Sequence, residues 1–185
     1  MTVGALARRR RHDARIAWTP VVAACAGCVA LAARPPLTWV AFGVTIAVGV
    51  AGALATAVRD PRAPALAAGV VTIGGIAAFA SVRLVVAIPP SPATLRTATM
   101  VVAAAVAEEL FFRRFLYGAL AGWGAAAAVA GSAIAFALVH IPAYGTAVFP
   151  VDLAAGLVLS WQRWATGSWT ASAVTHAAAN LMAIL

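Results

Sequence analysis

Glu108 and Glu109 stand side by side after the apolar run Val101–Ala107 and before Leu110-Phe111-Phe112. Ionisable groups inside an apolar helix are costly, and where they occur they point to function. Glu109 and Arg113 are spaced i, i+4 in the order that favours an ion pair. Glu108 points about 100° away around the same helix, and its own i+4 neighbour is Phe112. The spacing therefore predicts that Arg113 neutralises Glu109 and supports the helix. Glu108 is left as the carboxylate available for general-base chemistry on water. The plainer alternative is that both glutamates only join helices through hydrogen bonds.

Two further apolar stretches carry polar groups at helical spacing. Phe136 and His140 share one helix face, and so do His176 and Asn180. A lone His in an apolar helix is usually a hydrogen-bonded packing residue. Two His, an Asn and a Glu on three helices can converge only inside a bundle, because each is costly against lipid. Glu108, His140 and His176 could ligate a divalent metal such as zinc, with an open position for water. Against this, His-Glu-x-x-His is absent and no second carboxylate is evident to support the ligands. A Glu/His pair with an Asn/His oxyanion hole needs no ion, and the balance tips towards a site without metal. Counting from the inner helix ends at about 1.5 Å per residue puts Glu108 about 14 Å deep, His176 about 12 Å and His140 about 24 Å. That mismatch calls for a later helix start or a break at Pro142.

The elements that must position these groups are membrane helices. The 185 residues are 64% hydrophobic and 10% charged, with a mean hydropathy of +0.97. A soluble domain carries about 25% charge. Apolar runs over 16–33, 37–58, 64–88, 95–117, 124–141, 147–162 and 168–185 predict an all-α, polytopic bundle of about seven spans. Breaks fall at Pro, Gly and charge: Arg34-Pro35-Pro36, Arg59 to Arg62, Pro89 to Pro92, Gly122 to Gly124, Pro142 to Gly145 and Arg163 to Gly167. The chain divides into a basic tail (1–15), N-terminal helices (16–92) and a site-bearing bundle (93–185). The sets Gly43/Gly49/Gly52 and Gly69/Gly74/Gly75 read as close helix packing.

The net charge of +8 comes from thirteen basic residues, all Arg. They sit in the tail and in gaps between apolar runs, which argues against nucleic acid as a partner. The tail resembles a signal peptide, with Ala30-Leu31-Ala32 as a possible cleavage site, but the rest of the chain is equally apolar and an uncleaved first span is preferred. Placing the tail inside gives that side most of the arginines, so the N-terminus is expected in the cytoplasm. The all-Arg, Ala-rich composition points to a bacterial plasma membrane. Trp18, Trp39, Trp123, Trp161, Trp164 and Trp169 lie near span ends, where amphipathic rings sit well. Cys25 and Cys28 read as packing residues, since no second pair completes a zinc site.

The order Glu108-Glu109-x-x-x-Arg113, Phe136-x-x-x-His140, His176-x-x-x-Asn180 resembles the CPBP family of membrane peptidases. That family takes in CAAX proteases, bacteriocin-processing enzymes and proteins labelled abortive-infection. The resemblance runs from about residue 97 to the end, with the 163–169 segment similar to the family's turn before its last motif. It implies an enzyme, an intramembrane peptidase acting on a membrane-associated protein or peptide; the family is commonly called metallopeptidase. By position, Glu108 would activate water, His140 would hold it, His176 and Asn180 would bind the oxyanion, and Glu109, Arg113 and Phe136 would support them. Arg114 stands where the family often has Gly, and the chain runs only five residues past Asn180. Two other readings remain: a catalytically silent immunity or partner-binding protein of the same fold, and a small transporter with a Glu/His proton relay.

Overall fold

The computed structural model describes residues 18–35, 38–56, 63–85 and 94–185. The basic tail and the breaks at Arg59 to Arg62 and Pro89 to Pro92 lie outside the described residues. Within them the chain is all α-helical, with seven principal helices. These are α1 (Trp18–Ala32), α2 (Trp39–Ala55), α3 (Ala65–Val85), α4 (Leu95–Glu109), α5 (Ala125–Tyr144), α6 (Phe149–Thr166) and α7 (Trp169–Ile184). Their order matches the seven apolar runs of the sequence. Two of them, α3 over Ala65–Leu84 and α5 over Ala125–Tyr144, are long and apolar enough to cross a membrane; α1 and α2 are shorter apolar helices.

Beside a core of buried apolar side chains, the burial of ionisable groups and the exposure of large apolar ones both depart from a soluble protein. Leu54 and Leu84 are 83% and 87% exposed, whereas Glu109 and Arg113 are 0% exposed. Apolar side chains outside and ionisable ones inside is the arrangement that a lipid surround favours. The helices meet closely where small residues allow it. A methyl group at Gly49 of α2 would collide with the Ala107 backbone of α4, and one at Gly156 of α6 would lie 3.0 Å from the Cα of Ala133 on α5. Gly52 and Gly75 are also in tight contacts, but Gly43, Gly69 and Gly74 face open space, so only half of the expected packing glycines pack. Cys28 lies against the core, while Cys25 is exposed.

Two departures from simple helices set up the interior. After Glu109 the chain winds as a π-helix over Leu110–Leu116, then as an α-turn (Tyr117–Leu120) and a 3-10 turn (Ala121–Trp123). Such π segments concentrate at functional sites. Here it inserts Phe111, Phe112 and Phe115 into the core while Arg113 stays within reach of Glu109. Second, α5 does not break at Pro142 but continues to Tyr144 and ends at Gly145, whose φ of 83° suits only glycine well. Proline so near the C-terminus of a helix disrupts little of what remains.

Polar ties lock the later helices together. Ser132 of α5 and Ser160 of α6 are 2.9 Å apart. The Gln162 amide on α6 donates to Val71 O of α3 and to Thr175 Oγ1 of α7, each at 2.9 Å. Gly167, in the left-handed conformation, ends α6, and Ser168 caps the start of α7.

Candidate active site

Glu108, His140, His176 and Asn180 all line one cavity of about 980 Å³. It lies between α2, α4, α5 and α7, and its wall also includes Arg34, Trp39, Arg96, Phe136 and Asp152. Glu108 is at the centre. Its Oε1 is 3.9 Å from His140 Nε2, and its Oε2 is 3.9 Å from His176 Nε2.

The expected depth mismatch of His140 is absent, for a geometric reason. The helical path of α4 does not stop near residue 117 but runs through the π segment to Trp123. Glu108 lies fifteen residues before Trp123, and His140 fifteen residues after Ala125 (123 − 108 and 140 − 125). Equal arms on either side of the Gly124 turn bring the two residues level.

Each imidazole is oriented through its other nitrogen. His140 Nδ1 is 2.7 Å from Phe136 O and 3.5 Å from Asp152 Oδ2. A carbonyl can only accept, so Nδ1 carries the proton and Nε2 presents a lone pair to Glu108 when the ring is neutral. His176 Nδ1 is 2.9 Å from Glu109 Oε1, and that same oxygen accepts from Arg113 at 2.9 Å. Phe136 wedges the group in place. Its ring meets His140 and His176 with centroids 4.7 and 5.6 Å apart, and the Arg113 guanidinium stacks 4.5 Å from its centre. Arg113 also donates to Gly156 O at 3.3 Å, and Arg163 Nε donates to Arg113 O at 3.0 Å. Asn180 is half-buried on the cavity wall, one helical turn beyond His176.

Three features differ from the sequence expectation. Glu108 is not free of a cation: Arg34, from the α1–α2 connection, donates to its Oε1 at 3.2 Å and approaches His140 Nε2 at 3.5 Å. Inspecting the i+4 position sees only the same helix, and this partner comes from 74 residues earlier. Second carboxylates are present, because Glu109 buttresses His176 and Asp152 approaches His140. Glu109 thus serves two partners rather than Arg113 alone. The break at Arg34-Pro35 was legible, but nothing in the sequence linked Arg34 to the site.

Glu108, His140 and His176 are the residues that would hold a zinc ion. Their donor types suit it, and imidazoles held at Nδ1 by acceptors are common among metal ligands. The geometry does not suit a resident cation. Among the described residues no group of three His, Cys, Asp or Glu converges on a metal position. The Arg34 guanidinium, a fixed positive charge, also fills the space between Glu108 and His140.

No curated protein and no solved structure matches the chain. A family model does. The description Type II CAAX prenyl endopeptidase Rce1-like matches residues 90–182, half of the chain, and takes in all of α4 to α6 and most of α7, with every one of the Glu, His and Asn residues above. The apolar helices and this match together make the chain an integral membrane protein with a protein substrate. On that match, the chain belongs to the Rce1-like family of type II CAAX prenyl endopeptidases, and so to the peptidases.

Proposed function

We propose that the chain is an intramembrane endopeptidase that hydrolyses a peptide bond of a membrane-associated protein or peptide with water activated by Glu108 and His140. The observation that carries this reading is the Glu108 carboxylate flanked by two imidazole Nε2 atoms, each 3.9 Å away, in a cavity about 980 Å³ in volume. A water between Glu108 and His140 would donate one hydrogen to the carboxylate and one to the His140 lone pair. Its own lone pair then faces the scissile carbonyl. Glu108 takes the proton as the oxygen attacks, and returns it to the leaving amine. Asn180 is placed to donate to the oxyanion that forms, and so is His176 from Nε2 when its ring carries both protons, since Glu109 holds the Nδ1 hydrogen. Glu109, with Arg113 behind it, holds the His176 ring, and Phe136 fixes both imidazoles. The lining favours an apolar substrate segment, since Trp39, Phe42, Met100 and Val101 all contribute to the wall.

The Arg34–Glu108 ion pair is the observation that favours a second reading, a catalytically silent immunity or partner-binding protein of the same fold. The two separate in one assay. Protein in lipid nanodiscs is incubated with a prenylated reporter peptide, and wild type is compared with Glu108→Gln. The substitution is nearly isosteric but cannot take a proton, so cleavage should fall about 100- to 10,000-fold with membrane abundance unchanged. A Glu108→Gln protein that cleaves like wild type would remove Glu108 from the chemistry. A wild type that cleaves nothing, in the reporter assay and in proteomics of cells with and without the gene, favours the silent protein.

A further inference from the structure

Arg34 lies outside the matched segment, 90–182, yet reaches the centre of the cavity. One guanidinium nitrogen donates to Thr45 Oγ1 at 2.5 Å, which tethers it to α2. The other lies 3.2 Å from Glu108 Oε1 and 3.5 Å from His140 Nε2, two atoms that are themselves 3.9 Å apart. This nitrogen carries two hydrogens and has no acceptor capacity. It offers one hydrogen to a carboxylate and one to an imidazole lone pair, as an activated water would. The guanidinium and the water therefore compete for one place, and hydrolysis requires the guanidinium to leave it.

What draws it away must be an anion, because a buried guanidinium stripped of its carboxylate is costly. The cavity is arranged to admit one. Arg96 lines the same wall, held 4.4 Å over the Trp39 ring at the N-terminal end of α2. Asp152, the other carboxylate on the wall, faces His140 and not Arg34. An incoming carboxylate would meet Arg34 and Arg96 against an apolar surround, where a two-pronged guanidinium–carboxylate bond is strong. Thr45 would keep Arg34 near the site as it turns.

We propose that Arg34 is a specificity-determining residue that caps Glu108 in the resting protein and is drawn off by a carboxylate of the bound peptide, so that only substrates bearing one uncover the base. This rests on the peptidase reading above. The carboxylate could be a chain terminus or an acidic side chain, and the test separates them.

Three prenylated reporter peptides serve: one ending in a free carboxylate, its C-terminal amide, and the amide with a Glu added near its end. With protein in nanodiscs, wild type should cleave the first or the third about 10- to 100-fold faster than the plain amide, the range expected for a hydrogen-bonded charge pair. Whichever is preferred identifies the source. Arg34→Gln should lose that preference and cleave the plain amide faster than wild type does, because the cap is gone. A binding measurement on Glu108→Gln does not depend on turnover. Arg34 there lacks its internal partner, so the acidic peptide should bind more tightly than to wild type, and the amide should not.

Equal cleavage of all three peptides by wild type would overturn the proposal and leave the peptidase reading intact. So would an Arg34→Gln protein that is folded but slower on the plain amide, which would make Arg34 an aid to catalysis. If wild type cleaves none of the peptides, the peptidase reading falls, and acid-selective binding lost in Arg34→Gln would still support the anion site. Equal binding of acid and amide by Glu108→Gln refutes that site however cleavage comes out.

Discussion

Replacing Glu109 by Gln should cost the protein stability rather than remove a reacting group. The carboxylate and the Arg113 guanidinium are both 0% exposed and 2.9 Å apart. Breaking such a pair from one side strands a charge in a low-dielectric interior, which costs about 3 to 5 kcal/mol. Gly156 O, at 3.3 Å, remains as an acceptor for Arg113 and places the expectation at the lower end, about 3 kcal/mol. Since each 1.4 kcal/mol is tenfold, that is about two orders of magnitude in the folded-to-unfolded ratio. Arg113→Gln should cost a similar amount. The double variant should be milder than the sum by about 1 to 3 kcal/mol, because both singles remove one shared interaction. Unfolding of purified protein in detergent, scored for all four corners of the cycle, provides the energies, and membrane abundance provides the cellular readout. Glu109→Gln should also cleave more slowly per folded molecule, since His176 Nδ1 loses a charged acceptor at 2.9 Å. Strict additivity in the cycle would refute the shared buried pair. A Glu109→Gln protein that is fully stable and wholly inactive, beside an active Glu108→Gln, would reverse the roles assigned to the two glutamates.

Other outcomes follow from the same geometry. Gly49→Ala should destabilise by about 1 to 3 kcal/mol through overpacking against the Ala107 backbone, whereas Gly43→Ala on the same helix, with nothing within 4 Å, should be close to neutral in the same melt. Reporter cleavage should persist in a zinc chelator such as 1,10-phenanthroline; inhibition reversed by added zinc would show that a cation displaces Arg34 in the working site. We propose an inside N-terminus, so a reporter fused after Leu185 should be active on the outer face. With that orientation Arg34, Trp39 and Arg96 of the cavity wall lie towards the outer face. Cytoplasmic activity of the fusion would require an even number of crossings.

What the sequence determined by itself is local or additive. Seven helices were legible because each has its own run of hydrophobic residues with Pro, Gly or charge at its ends, although only two of them are long and apolar enough to cross a membrane and two more are shorter apolar helices. The i, i+4 pairing of Glu109 with Arg113, present at 2.9 Å, needs only the pitch of one helix. Family membership was legible in the order of three short motifs, since the match covers the segment that holds them. Tertiary structure alone decided how those motifs meet. The extension of the α4 path through a π-helix to Trp123 set the level of Glu108 against His140, and no propensity in Leu110–Leu116 announced it. The pairing of Arg34 with Glu108 spans 74 residues, and that of His176 with Glu109 spans 67. Contacts at such separations follow from how whole helices pack, where each polar group takes the partner that the packed interior brings within reach and not the one that its own helix offers.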